Sequence, residues 1–196
     1  MKKSQALGIL AEKIAACRKC QELTEYRTQC EYKTVPGRGN PNADVLIIGE
    51  APGKNEAEQG EPFVGKAGNL LTNILEAVGI SREEVFIANI LKCRPPGNRD
   101  PKLEEANNCR PFLDLQIELI DPIWIVCLGR YAARYILGKD PDTSMGAMRG
   151  QHEISGRKVI ATYHPSYLLR DPSAKKEVAN DLKPLIFDLR NRSSEV

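Results

Sequence analysis

Six cysteines stand in this chain of 196 residues, and four of them are spaced as ligands could be. Cys17 and Cys20 form a C-x-x-C, and Cys93 and Cys109 form a looser pair separated by fifteen residues. Cys30 and Cys127 stand alone, and Cys127 lies within the apolar run IWIVCLG, where a buried, inert thiol is expected. In a reducing compartment disulfides are rare, so a metal site is the better reading. A bare C-x-x-C suits zinc, a redox pair or an iron–sulfur cluster. A redox pair opens a helix near a βαβ unit, whereas this one closes a helix. Four thiolates without histidine suit zinc or a cluster, and spacing does not separate the two.

A second set of reactive side chains follows short apolar runs. Glu50 lies in Gly49-Glu50-Ala51-Pro52-Gly53, Asn89 near the end of VFIANI, and His164 in His164-Pro165-Ser166. A carboxylate, a carboxamide and an imidazole could polarise water, pair with a planar ligand edge and donate a proton or hydrogen bond. GEPFVGKAG (60–68) is one letter from the phosphate loop G-x-x-x-x-G-K-[ST], with Ala67 in place of the hydroxyl residue. The stretch begins about ten residues after its strand, too late for that geometry. Pro62 and Phe63 are also poor choices for amides that must curl around anions. Chance spacing explains the match, and Phe63 offers instead a flat apolar face beside the pocket.

These residues need a scaffold, and the hydrophobic pattern supplies one. VLIIG (45–49), VFIANI (85–90), IWIVCLG (123–129) and VIATY (159–163) read as parallel strands buried on both faces. Helical patterns cover 68–80, 104–120 (interrupted at Pro111) and 130–138. Their alternation predicts a single domain over 1–196, a three-layer α/β/α fold with a central four-stranded parallel sheet. Ligands in such sheets bind beyond the carboxyl ends of the strands, where Glu50, Asn89 and His164 converge. The N-terminal MKKSQALGILAEKIAAC is interrupted by Glu12 and Lys13, so it reads as an amphipathic helix burying Leu7, Leu10 and Ile14 rather than a leader. With 41% apolar and 28% charged residues and a formal charge of +2, any basic footprint must be local. No apolar run is long enough to span a membrane, and a cytoplasmic, nucleoid-associated monomer is expected.

GEAPGKNEAEQGEPFVGKAGNLL (49–71), NILKCRPPGNRDP (89–101) and ATYHPSYLLR (161–170) together resemble the family 4 uracil-DNA glycosylases. The resemblance runs from about Cys17 to Lys183 with all motifs in order. It implies a [4Fe-4S] cluster on Cys17, Cys20, Cys93 and Cys109, and hydrolysis of the bond joining uracil to deoxyribose in single- or double-stranded DNA. It assigns Asn89 to the Watson–Crick edge of a flipped uracil, Phe63 to stacking on it, and His164 to uracil O2, with backbone amides near Ala51 assisting. Other branches of the superfamily carry Asp where this chain has Ala51. Glu50 and Glu56 are therefore the candidates for the water-orienting carboxylate, with Glu50 preferred. Glu56 is alternatively a wall against the thymine methyl.

DNA contacts are expected from KCRPPGNRDPK (92–102), where a Pro-Pro-Gly turn would expose Lys92, Arg94, Arg99 and Lys102. Ser166 could bond a phosphate, Tyr167, Leu168 or Leu169 could wedge into the base stack, and Arg170 could follow the backbone. Two other readings compete. A uracil-DNA binder that traps its product covalently would need a histidine in a basic insertion, yet His152 is the only other histidine. A zinc-stabilised module could instead hold ATP on the near-phosphate loop.

Overall fold

The computed structural model describes residues 1–193. Two N-terminal helices, α1 (Lys3–Ala15) and α2 (Gln21–Gln29), precede a two-residue strand β1 (Arg38–Gly39) and the central strand β2 (Val45–Gly49). Helices α3 (Lys54–Gln59) and α4 (Lys66–Ala77) lead to β3 (Phe86–Asn89), and α5 (Leu103–Ile120) leads to β4 (Trp124–Leu128). Then follow α6 (Arg130–Leu137), α7 (Met145–Met148), β5 (Gly150–Ile154), β6 (Arg157–Thr162), α8 (Pro165–Arg170) and α9 (Lys175–Ser193).

Among the described residues the sheet has six strands, in the order β1-β3-β2-β4-β6-β5. The four apolar runs form its middle and pair in parallel, while β1 and β5 add antiparallel edges. A four-stranded sheet was expected from the apolar pattern, so the edges are a correction. GQHEI on β5 is largely solvent-facing, and Arg38–Gly39 is too short to show a period. Both escape a search for buried runs. A second correction concerns α5, which runs through Pro111 without a break.

Alternation along each strand divides the core into two layers. Leu46 and Ile48 of β2 face Leu113 and Ile120 of α5 and Ala132, Ala133 and Leu137 of α6. Val45 and Ile47 face Leu71 and Leu75 of α4 and Val178, Leu182 and Leu185 of α9. Both faces are thus covered, as a parallel sheet requires. Helix α1 buries Ala6, Leu10 and Ile14, with Leu7 only partly covered. No helix among the described residues is long and apolar enough to cross a membrane.

The chain order makes β2 the point of departure for both halves. From β2 the chain crosses to β3 on one side, then returns past it to β4 on the other. Adjacent loops therefore leave the carboxyl edge in opposite directions and open a crevice there.

Candidate active site and cysteine corner

Each side chain of the crevice is set by its strand end. Gly49 pairs in register with Asn89, which places the first residue after β2, Glu50, beside the last residue of β3. Leu128 pairs with Thr162, so Gly129-Arg130 and Tyr163-His164 leave β4 and β6 side by side. Together they line a cleft of about 830 Å³, joined by Phe63 and Ala67 from the 60–68 stretch and Arg170 from α8. The sequence reading thus brought Glu50, Ala51, Glu56, Phe63, Asn89 and His164 to one cavity, and the structure does the same.

Asn89 is the floor. It is 2% exposed, and its Oδ1 is a buried acceptor with no partner among the described residues. A buried acceptor left bare costs roughly 1–3 kcal/mol, so this atom points to a ligand that donates to it. Gly49 makes the room. A Cβ there would come within 2.4 Å of Asn89 Oδ1 and 2.7 Å of Phe63 Cζ.

Phe63 is buried and forms one wall, its ring centroid 5.5 Å from that of His164 and tilted 33° to it. Its backbone sits in the left-handed region at φ 52°, a conformation a bulky residue adopts only under constraint. The constraints are visible. Glu56 Oε1 accepts from the main-chain amides of Val64 at 2.9 Å and Gly65 at 2.8 Å, and Arg82 donates to the Pro62 carbonyl at 2.7 Å. Gly68 then packs directly under Phe63, leaving no space for a Cβ, which would lie 1.9 Å from the Phe63 carbonyl oxygen.

That geometry settles the near-phosphate loop. Gly65 is the N-cap of α4, and its amide and that of Val64, two of those that would greet a phosphate, already bind the Glu56 carboxylate. Glu56 was a candidate for orienting water. Its Oε1 holds the loop that carries Phe63, while the residue also lines the cleft. Lys66 is exposed.

His164 is held in one tautomer. The Ser166 main-chain N–H donates to His164 Nδ1 at 3.1 Å, and Ser166 Oγ lies 2.8 Å from the same nitrogen. Because that amide can only donate, Nδ1 accepts and the ring proton resides on Nε2. Burial pushes the imidazole pKa down to about 4, with the Arg170 charge adding to the shift and Glu56 opposing it. His164 is therefore a neutral N–H donor at physiological pH. Ser166, expected to reach a phosphate, lines the cleft and here also contacts this ring.

Glu50 shifts in the opposite sense. Burial, reinforced by Asp100 and opposed by Arg130, raises its carboxyl to about 7. Among the described residues no hydrogen bond stabilises its charged form, and its shift places it between acid and carboxylate near neutrality.

Arg130 and Tyr131, which also line the cleft, were not singled out in the sequence. Arg130 pairs with Asp100 at 3.1 Å and stacks on Tyr131. The rule that found the other residues also applies after IWIVCLG, where Gly129-Arg130 begins α6.

The basic loop differs from its expected form. Lys92 is 1% exposed, not displayed, so it is withdrawn as a surface charge. Arg94 donates to Tyr32 Oη at 2.7 Å and Asn98 Oδ1 at 2.8 Å. Arg99 lines the cleft but is bound to Glu105 at 2.9 Å and to Glu22 at 3.3 Å. Lys102 pairs with Glu22. Leu168 is fully buried, leaving the exposed Leu169 and Arg170 as the reaching residues of α8.

Behind the cleft, Cys17, Cys20, Cys93 and Cys109 line one small cavity with Ile14, Leu23 and Phe112. Arg27 Nη1 donates to Cys93 Sγ at 3.5 Å, and Asn108 Nδ2 to Cys20 Sγ at 3.6 Å. All six cysteines are free. Four convergent thiols, lined by apolar side chains together with Lys19, Thr24, Lys92 and Asn108 and with two sulfurs already receiving N–H donors, fit a group bound by thiolates. No group of three or more His, Cys, Asp or Glu side chains among the described residues is arranged to hold a single metal ion. Cys127 is fully buried, and burial raises its thiol far above the usual range, in keeping with an inert core residue.

Residues 36–183 match the model of the uracil DNA glycosylase superfamily. The chain belongs to that superfamily. It is 44% identical over 188 residues to a type-4 uracil-DNA glycosylase of Archaeoglobus fulgidus, covering 92% of each chain. It is 41% identical over 189 residues to a type-4 uracil-DNA glycosylase of Thermotoga maritima, covering 95% of this chain and 92% of that one. A type-5 uracil-DNA glycosylase of Pyrobaculum aerophilum is more distant, at 30% over 185 residues and 80% of each chain. The superfamily member described here thus stands nearer to the type-4 enzymes than to that type-5 relative.

Proposed function

We propose that this chain is a DNA repair glycosylase that removes uracil by hydrolysing its N-glycosidic bond, leaving an abasic site. The observation that carries the reading is the buried Asn89 Oδ1, without a partner among the described residues, in the cleft that Phe63 and the Nε2–H tautomer of His164 also line.

A base inside a duplex is out of reach, so the nucleotide must be turned out into the cleft. Uracil offers N3–H to Asn89 Oδ1 and O4 to the Asn89 amide. Cytosine presents the reverse pattern and leaves both groups mispaired, at roughly 1–3 kcal/mol each. Phe63 stacks on the ring, a contact worth about 1–3 kcal/mol. As the bond breaks, negative charge grows on uracil O2. His164 Nε2–H donates there as a neutral group, with main-chain amides near Ala51 assisting. The sugar develops positive charge, which the Glu50 carboxylate stabilises while it orients the attacking water. Water adds to the anomeric carbon, its proton passes to solvent or Glu50, and the base departs as the uracil anion.

Arg170 and Leu169 are the DNA-facing residues at the rim, Arg170 on the backbone and Leu169 in the base stack. Arg94 and Arg99 hold the 94–102 loop against α2 and α5 and reach DNA only through its shape. Cys17, Cys20, Cys93 and Cys109 are the residues that would hold a [4Fe-4S] cluster. When bound, the cluster supplies a cross-link between the N-terminal helices and the segment after β3, with no electron transfer in the reaction. The enzyme acts as a monomer on DNA in the cytoplasm.

An oligonucleotide with one uracil, incubated with the protein and split between alkali and a denaturing gel, tests the reading. Alkali-labile scission at the uracil is the expected result. A heat-stable shifted band would transfer the protein to the covalent binders. Neither outcome would overturn the assignment. His152, the residue such trapping would otherwise use, lies on edge strand β5 with its Nε2 2.7 Å from the Met148 carbonyl.

A further inference from the structure

Lys92 is the one lysine among the fully buried large side chains, and neither the cleft nor a surface needs its charge. Its Nζ donates to the main-chain carbonyl of Asn89 at 2.8 Å and to Gln116 Oε1 at 2.7 Å. Gln116 is itself fixed, its Nε2 donating to the Pro36 carbonyl at 2.6 Å. The Lys92 main chain is bound on both sides as well. Its carbonyl accepts from Val35 N at 2.8 Å, and its amide hydrogen-bonds the Cys109 sulfur. One residue therefore joins α5, the 34–36 segment and the cysteine corner to the carbonyl of the residue that floors the cleft.

Asn89 needs such a hold. It is the last residue of β3, and the parallel register with β2 ends at its Gly49 partner. Just beyond it, Ile90 N still donates to the Gly49 carbonyl and Leu91 N to the Glu50 carbonyl, both at 3.0 Å, while the Asn89 carbonyl itself is held by Lys92 Nζ. The Asn89 side chain cannot be fixed by a partner on Oδ1, because that atom has none. The carboxamide must be aimed through its backbone instead. A displacement of about 1 Å at a binding group can cost on the order of 10²-fold in rate, and burying an ammonium is justified only where its hydrogen bonds matter.

We infer that Lys92 is a positioning residue for base recognition, its ammonium fixing the Asn89 main chain so that the carboxamide faces the flipped base. The inference rests on the glycosylase reading for its effect on excision, and on geometry alone for its effect on Asn89.

The test compares Lys92→Met, Gln116→Met and the Lys92→Met/Gln116→Met pair in the cluster-loaded protein. Lys92→Met leaves both the Asn89 carbonyl and Gln116 Oε1 without a donor. The double variant removes the second orphan, so part of the lost stability returns while the Asn89 carbonyl stays bare. Single-turnover excision of uracil is expected to fall roughly 10–100-fold in both variants that lack Lys92. Affinity for uracil-free DNA, read by anisotropy, and visible absorption should stay unchanged. In the ligand-free protein, the Asn89 side-chain NH₂ resonances in a ¹H–¹⁵N spectrum should shift or broaden whenever Lys92 is replaced. Excision that recovers in step with stability in the double variant would reduce Lys92 to a structural role and overturn the inference. Unmoved Asn89 resonances would overturn it as well. Should the wild-type protein fail to excise uracil, the glycosylase reading falls, and the resonances alone decide the role of Lys92.

Discussion

At the carboxyl edge of the sheet, among the described residues, Asn89 Oδ1 is buried without a partner and Glu50 has no hydrogen bond on its charged form. At the cysteine corner, separated from that edge by the residues around Lys92, two of the sulfurs already accept from Arg27 and Asn108. Both regions are lined by groups that burial perturbs, and both are assembled from distant parts of the sequence. They differ in what their polar atoms await. On the proposed reading, the cleft keeps its recognition atoms bare for a base that enters and leaves, and the corner fixes its thiols from outside, as would suit a group that stays. A search for perturbed side chains alone would not separate the two, whereas asking which polar atoms have partners does.

Breaking the cleft should have the largest consequences for catalysis and small ones for folding. Asn89→Asp still accepts from N3–H but cannot donate to O4. Single-turnover excision should fall roughly 10³-fold or more, with the thermal midpoint close to wild type. His164→Ala removes a donor from the developing anion and should lose roughly 10²–10³-fold in the same assay.

Glu50 gives the comparison a pH signature. If its carboxylate orients water, excision should climb between pH 6 and 8 about a midpoint near 7, while Glu50→Gln should be slow and flat. Stability moves the other way. The folded state binds the Glu50 proton more tightly than the unfolded chain, so stability is lost as pH rises from about 4.5 through about 7. Glu50→Gln should therefore melt higher than wild type at pH 8 and close to it at pH 5. His164 adds the opposite slope, since its pKa is depressed from 6.5 to about 4. Its contribution is complete above pH 6.5 and fades as pH falls through 4.

Breaking the corner should cost fold before chemistry. Cys17→Ala should lose visible absorption and thermal stability together, and a colourless variant with wild-type stability and activity would contradict the structural role. Arg170→Ala is the smallest of the set. It should weaken DNA binding equally for all sequences and lower the salt slope by about 1.

Much of this arrangement was legible in the sequence for a physical reason. Strands buried on both faces are continuously apolar, so VLIIG and IWIVCLG announced themselves, and the carboxyl-edge rule then gathered Glu50, Asn89 and His164. The edge strands were not legible, because a half-exposed GQHEI carries no such signature. Hydrogen-bond partners were not legible either. Composition treats Glu56 as one more carboxylate in NEAEQGE, and only geometry shows it filling the anion site at the start of α4. Lys92 shows the same limit more sharply, since a lysine beside arginines and a Pro-Pro-Gly turn reads as surface, yet this one lies in the core.

The central claim is that the bare Asn89 Oδ1 reads uracil through N3–H. Two oligonucleotides that differ only in carrying deoxyuridine or 3-methyl-deoxyuridine test it directly, with excision by the wild-type protein measured under single-turnover conditions. The methyl group removes the donor and leaves the glycosidic bond in place. Excision of uracil with loss of roughly 10³-fold or more on the methylated base is the predicted result. Equal rates on the two bases would contradict the account.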